Sequence, residues 1–340
     1  VLPKESPAPF VRVENVSKHY STGGLFGRSR FSALSDVSLD IVKGQAVGLV
    51  GESGSGKSTL GKVIIGLTRA SSGRVEVNGS AVDPGRRGGL AAHWRQMQMV
   101  FQDPYASLNP RMTIRNTLTE PLRNFGIAVD AEAEAMVRST LDACGLPATA
   151  LERFPREFSG GQRQRIGIAR ALIVRPDFII ADEPVSALDV SIQAQIINLM
   201  KDLKSEYGLT YLFIGHDLAV VRHISDRVAV MYRGRIMEFG PVDDIYDRPG
   251  HPYTRLLIRS IPIPDMELEA RRVAETRTAK PGEPSVAAGC PFATRCPLAV
   301  ARCRAESPSL RLYAGNRRVA CHVYDEEHGN LSIAGASETE

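Results

Sequence analysis

Two hydrophobic rhythms divide this chain. Apolar and polar residues alternate from Phe10 to Val16 and again from Ala33 to Ile41. A period of two puts every second side chain on one face, so both stretches predict half-buried strands of an antiparallel element. Gly23, Gly24 and Gly27 lie between them among Ser and Arg and predict a mobile loop. Beyond residue 45 the rhythm changes to short continuous apolar runs at Ala46–Val50, Phe178–Ala181 and Thr210–Ile214, with a glutamine-interrupted one at Met97–Gln102. Each is too short for a helix and uniform enough for a strand covered on both faces, as in a parallel sheet. Thr59 to Leu67 opens a helix after the first run, and helical segments precede the runs at 178 and 210, an order that predicts a doubly wound α/β core.

Between Asp103 and about Pro155 the pattern is helical and reads as an insertion, in which Asp130 is the predicted N-cap of a helix with Met136, Val137, Leu141 and Cys144 on one face. Gly73–Gly79 predicts a short strand ending in a turn. Val228–Met231 and Arg235–Phe239 predict two final strands around Tyr232-Arg233-Gly234. Residues 1–9 carry three prolines and read as a loose lead-in, 261–289 as a linker poor in large apolar residues, and 324–340 as a polar, disordered tail. The expected organisation is a main domain over 10–260 with a helical subdomain at about 103–176, and a small cysteine-rich module over 290–323.

At 340 residues with 43% hydrophobic content, the chain has room for two or three units and a sizeable core. Its 42 basic and 38 acidic residues leave a formal charge of +4, which by itself implies neither a nucleic-acid nor a lipid surface. No run approaches the roughly 18 apolar residues that a bilayer span needs, and the first seven residues lack a signal-peptide apolar region. The expectation is a soluble or peripheral protein on the cytoplasmic side.

Chemistry concentrates where apolar runs end. Gly51-Glu52-Ser53-Gly54-Ser55-Gly56-Lys57-Ser58 follows the first run and fits G-x-x-x-x-G-K-[ST] at every specified position. Glycines there let backbone N–H groups face inward, and the following helix N-terminus adds partial positive charge, which together form a seat for phosphate oxygens. Lys57 would reach the β- and γ-phosphates, and the Ser58 hydroxyl, with Thr59 beside it, would help to hold the nucleotide and its Mg²⁺. This makes the core one of P-loop NTPase type. Asp182-Glu183 ends the Phe178 run, so both carboxylates leave the sheet at the edge that carries the loop; Asp182 suits the Mg²⁺ shell and Glu183 suits a general base for water. Gln102, after its own strand, can reach metal and water, and His216, after the Thr210 run, can contact the γ-phosphate. Phe158-Ser159-Gly160-Gly161-Gln162 opens a helix through Ala171, with Ser159 as N-cap and a Gly-Gly step that lets a second phosphate approach.

With these six motifs in order, residues 10 to 260 resemble the ATPase subunits of ATP-binding cassette transporters: phosphate loop 51–58, Gln102, signature 158–162, Walker B 178–183, D-loop Ser186-Ala187-Leu188-Asp189 and switch His216. The resemblance implies ATP held between two subunits, the loop of one facing the signature Ser159, Gly160, Gly161 and Gln162 of the other with Asp189 nearby, and closure of that pair driving a membrane permease. Tyr20 matches the adenine-stacking aromatic in position. Phe158 stands where leucine is commoner, and Gly215 where Ser or Thr usually precedes the histidine. Val100 to Pro110 and His251-Pro252-Tyr253-Thr254 resemble the oligopeptide and dipeptide importers, closer to their "F" type of subunit than to the "D" type it pairs with. Tyr105, Leu108 and Met112 lie where that family holds a permease coupling helix; ordinary packing is the competing reading.

Cys290, Cys296, Cys303 and Cys321 crowd one short segment. Four thiols in a small cytoplasmic module imply a metal, because few large apolar residues are present to build its core. Their spacing matches neither paired C-x₂-C zinc modules nor ferredoxin runs. The family resemblance implies a [4Fe-4S] cluster; zinc and unligated thiols remain the alternatives. Cys144 reads as a core residue, His19 and His223 as solvated or packing residues, and His322, adjacent to Cys321, as a residue for which ligation by proximity stays open as the lesser alternative. The expected protein is a peripheral ATPase at the cytoplasmic face of the membrane. Its expected partners are a second ATPase, two permeases and an extracytoplasmic solute-binding protein, with no nucleic acid. Other cargoes (nickel, glutathione, opine, sugar) or a soluble cassette ATPase are the alternatives.

Overall fold

The computed structural model describes residues 8–22, 29–85, 90–261, 288–313 and 316–324. Most of the predicted lead-in (1–7), the glycine loop (23–28), most of the linker (262–287) and the polar tail (325–340) lie outside the described residues. The chain divides into two units, Val1–Arg235 and Ile236–Glu340.

In the first unit β1 (Val11–Thr22) and β2 (Ser29–Ile41) pair antiparallel, Val11 opposite Ile41 and Tyr20 opposite Phe31. Both strands outrun the alternating stretches that predict them, because a backbone ladder continues through Ser17–Thr22 without needing apolar side chains. β3 (Ala46–Val50) leads into α1 (Lys57–Ile64), which starts two residues earlier and ends sooner than expected. β4 (Ser72–Val77) pairs with β1 and turns into β5 (Ser80–Ala81) through Asn78-Gly79, with both turn residues at positive φ as a two-residue hairpin requires.

After α2 (Ala91–Gln96), β6 (Met97–Val100) opens the helical insertion: α3 (Pro104–Ser107), α4 (Ile114–Asn124), α5 (Asp130–Ala143) and α6 (Gly160–Leu172). Val137, Leu141 and Cys144 are buried as the periodicity predicts, while Met136 is only partly covered. Asp130 is not the N-cap. Val129 occupies that position, and Asp130 is the first helical residue, where its carboxylate still suits the positive end of the helix.

β7 (Phe178–Asp182), α7 (Val190–Tyr207), β8 (Thr210–Ile214), α8 (Leu218–Ile224) and β9 (Arg227–Tyr232) complete the core. Five strands run parallel in the order β9-β3-β8-β7-β6, which bears out the doubly wound reading. Every residue of β3, β7 and β8 is buried, as their uniform apolar runs demand. The C-terminal ends of β3, β6, β7 and β8 therefore open on one edge of the sheet, and each delivers one of the predicted site residues.

The second unit holds β10 (Arg235–Pro241), α9 (Val242–Asp247), α10 (Pro252–Arg259), α11 (Ala301–Ala305), β11 (Arg311–Tyr313) and β12 (Arg317–Val319). Arg235–Phe239 is thus not the last strand: β12 pairs antiparallel with β10 and with β11. Glu238, fully buried on β10, accepts the backbone N–H of Gly250 (2.8 Å) and of His251 (2.9 Å) and lies 3.8 Å from Arg317. His251 Nδ1 in turn caps α10 by accepting from the Tyr253 N–H at 3.0 Å. The Phe292 ring packs 5.4 Å from Tyr253 and 5.9 Å from His251, so the segment that begins at Cys290 shares its core with α10.

Candidate active site

Strand β3 ends at Val50, and the loop Gly51–Gly56 carries the chain into α1. A Cβ at Gly51 would sit 2.0 Å from the Met231 carbonyl oxygen, and one at Gly56 2.4 Å from that of Ala33, with φ at +154° and +103°. These glycines are demanded by the β9 and β2 backbones packed behind the loop as well as by the anion seat in front. Gly54 (φ +77°) meets open space, Ser53 is exposed, and Ser55 is buried with its hydroxyl unpartnered. The buried Lys57 ammonium donates to Gly51 O at 2.9 Å and Glu52 O at 3.1 Å. Burial lowers its pKa, against the opposing pull of Glu183 and Asp182.

Ser58, beside the half-exposed Thr59 on α1, donates its Oγ–H to Asp182 Oδ1 at 2.8 Å. Burial pushes the Asp182 carboxyl upward, opposed by the Ser58 hydrogen bond. A hydroxyl and a carboxylate in contact across the sheet edge are hard oxygen donors of the kind Mg²⁺ prefers, so the residues present fit that ion. One position on, Glu183 has φ +47°, rare for a residue with a side chain, and its N–H donates to Ile214 O at 2.9 Å. Its Oε2 accepts from Gln102 Nε2 at 3.0 Å and lies 3.3 Å from His216 Nδ1. Gln102, Glu183 and His216 line a cavity of about 440 Å³ together with Tyr105, Gly160 and Leu188.

Ser159 caps α6: its Oγ accepts from the Gln162 N–H at 3.3 Å, and Gln162 Oε1 accepts from the Ser159 N–H at 3.0 Å. A Cβ at Gly161 would stand 2.5 Å from Ile192 Cγ2, and at Gly160 3.2 Å from Leu188 Cδ2. The glycine pair therefore lets the first turn of α6 lie against the start of α7, where Asp189 holds the exposed N-cap position. Among the described residues no hydrogen bond joins 159–162 to the loop 51–58.

Tyr20 is exposed, with the Lys18 ammonium 5.0 Å above its ring. Phe31, directly opposite on β2 and also exposed, escapes sequence reading because only the strand register pairs the two. Leu108 is buried, so ordinary packing accounts for it, whereas Tyr105 is 65% exposed. His223 bonds Asn198 Oδ1 at 3.3 Å, and His322 Nε2 donates to Glu306 O at 2.9 Å.

The four tail thiols share one neighbourhood. Burial pushes Cys296 up to about 11 and Cys321 up to about 12, and in each case the charges of neighbouring tail thiols add to the rise. Among the described residues no group of three or more His, Cys, Asp or Glu side chains is arranged to hold a metal ion. No helix among those residues is long and apolar enough to cross a membrane.

Residues 34–186 match the ABC transporter family, and residues 237–303 match the C-terminal region of oligopeptide/dipeptide transporters. A Brucella ovis protein named for peptide import and ATP binding is 48% identical over 314 residues, 92% of this chain and 97% of its own. A Bacillus subtilis protein named for oligopeptide transport and ATP binding is 46% identical over 93% of this chain and 96% of its own. Among solved structures, a dimeric ATP-binding cassette in a post-hydrolysis state with ADP and Pi superimposes with a TM-score of 0.62. It is 30% identical, covering 68% of this chain and 98% of that one. A subunit of an ABC transporter complex from Clostridium perfringens gives 0.63 at 26% identity, covering 71% and 92%.

Proposed function

Because the chain belongs to the ABC transporter family as one of its ATPases, we propose that it hydrolyses ATP to power the import of peptides through a membrane permease. The observation that carries the hydrolytic part is the Glu183 carboxylate, held between Gln102 and His216 beside the Ser58–Asp182 pair. Glu183 acts as the general base that takes the proton of the attacking water, while Gln102 and His216 fix the carboxylate's orientation. The backbone N–H groups of Gly51–Ser58 and the Lys57 ammonium bind the phosphates; to do so Lys57 exchanges its two loop carbonyls for phosphate oxygens. Ser58 and Asp182, with Gln102 as a further candidate ligand, would hold Mg²⁺, which when bound would offset the charge of the triphosphate. Tyr20 stacks on the base.

Ser159, Gly160, Gly161, Gln162 and Asp189 serve a second ATPase subunit; among the described residues no hydrogen bond joins 159–162 to the loop of their own chain. The dimeric state of the solved cassette relative supports that arrangement. Peptide cargo is supported by relatives matched over more than nine-tenths of the chain and by the C-terminal match at 237–303. Within that class we assign the "F" type, pairing with a "D"-type ATPase, two permeases and an extracytoplasmic binding protein at the cytoplasmic face of the membrane. The four tail cysteines form the ligand set of a [4Fe-4S] cluster, with zinc as the alternative. The reading rests on the four thiols of one short segment, of which Cys296 and Cys321 are each raised by burial and by the charges of their tail neighbours; iron with labile sulfide after anaerobic purification tests it, stoichiometric zinc without iron overturning it.

The decisive experiment is uptake of a labelled peptide in cells that lack the chain and carry either it or Glu183→Gln. The expected result is restored uptake with the former alone, together with retained ATP binding and lost turnover in the purified variant. Unchanged hydrolysis by Glu183→Gln would remove the role of Glu183, and restored hydrolysis without peptide uptake would remove the cargo.

A further inference from the structure

Two arginines on α6 lie outside the mechanism, although both are largely withdrawn from water. Arg163 is 6% exposed; its guanidinium carbon lies 3.7 Å from the centre of the Tyr105 ring, and its Nε donates to Pro155 O at 2.8 Å. Its Nη1 is buried without a hydrogen-bond partner. Arg170, seven residues and two helical turns further on, donates Nη1 to Ser107 O at 2.5 Å. Both contacts fall on α3, a single turn whose N-cap is Asp103, accepting from the Tyr105 N–H at 2.8 Å. The residue before that cap is Gln102, which holds Glu183.

A buried cation stacked on a ring is an expensive way to fill space, and a methionine would occupy the same volume without desolvating a charge. A guanidinium supplies what methionine cannot, namely a flat face that fits the ring together with directed N–H donors. The two contacts grip α3 at Tyr105 and at Ser107, its second and last residues, so that the segment that follows Gln102 is tied to α6 at two points. We propose that Arg163 and Arg170 are positioning residues that fix the Gln102 side chain to the signature helix. On this account any displacement of Ser159–Gln162 by a second subunit is delivered to the Glu183 carboxylate within the same chain. The proposal rests on the hydrolytic reading of Glu183 and adds to it a mechanical input.

The test uses the full-length chain in the complex with which it co-purifies, comparing Arg163→Met, Tyr105→Leu, Tyr105→Phe, the double Arg163→Met/Tyr105→Leu, and Glu183→Gln. Tyr105 is largely exposed, so its replacement probes the contact without opening the core. Arg163→Met and Tyr105→Leu are each expected to lower kcat for ATP by at least about tenfold, because a misplaced catalytic group is costly. KM for ATP stays within about twofold, since no nucleotide contact changes. Tyr105→Phe keeps the ring and retains most of the turnover, and the double variant is no worse than the more severe single one. Multiplying single effects, a KM that rises in step with the loss of kcat, or a Tyr105→Phe as impaired as Tyr105→Leu would overturn the proposal. Loss of turnover in Glu183→Gln with normal turnover in the other variants would sink the clamp alone. Normal turnover in Glu183→Gln would instead sink the reading on which the clamp rests.

Discussion

The Lys57 ammonium is held by two carbonyls of its own loop. Its exchange onto phosphate oxygens replaces two hydrogen bonds to neutral carbonyls by charge-assisted ones, each worth about 1.5–3 kcal/mol. Lys57→Ala should therefore weaken ATP binding by about 10- to 100-fold, read by nucleotide titration, while a fold set by Gly51 and Gly56 against β9 and β2 persists. Equal affinity in the variant would show that the backbone seat carries the binding. At this scale the sequence is very legible. Lys57, Gln102, Asp182, Glu183 and His216 each follow an apolar run, and the end of a parallel strand fixes a residue's place at the sheet edge without further tertiary information. Phe31 and the contacts of Arg163 and Arg170 were not legible in that way. Phe31 depends on the register of two strands, and an arginine's partners depend on which loop the helix happens to cover.

Among the elements, α6 shows how one dipeptide answers two demands. The Gly-Gly step reads from sequence as room for a phosphate, and it is also room for α7. An alanine at 161 would bring its Cβ to 2.5 Å from Ile192 Cγ2, a branched carbon with little freedom to retreat. Gly161→Ala should cost about 1–3 kcal/mol by overpacking and lower Tm by several degrees in a thermal melt. Adding Ile192→Ala should recover most of that loss, and an unrecovered Tm would place the strain elsewhere. Periodicity marks where strands and helices fall but not where they end, as the bounds of β1, β2 and α1 and the start of α5 show. Asp130 is a good capping residue by type, yet the backbone turn falls one residue earlier, at Val129. Such one-residue offsets are set by how the preceding loop enters, which periodicity does not encode.

For the whole molecule, the second unit carries a built-in response to acid. Burial pushes His251 down to about 3, so the folded chain leaves it neutral while the unfolded chain protonates it below about 6.5. Its contribution is complete above that value and is lost as pH falls from about 6.5 towards 3, at about 1 kcal/mol per pH unit through the middle of the window. Glu238, raised by burial, gives a slope of the opposite sign. His251→Asn keeps an acceptor for the Tyr253 N–H and removes the titration, so denaturant melts of the variant between pH 6.5 and 4 should show a shallower decline than the parent. An identical decline would mean that other groups govern acid loss. The positive φ of Glu183 has a consequence for how such a protein changes over generations. Glycine at 183 would relieve about 1 kcal/mol of backbone strain, in part offset by its own flexibility, and would abolish the proposed base. A screen that rewards heat resistance and ignores transport should therefore enrich Glu183→Gly, whereas a screen for growth on the cargo should purge it. Robustness and work pull this position in opposite directions, and the carboxylate persists only while the cell needs what the transporter brings in.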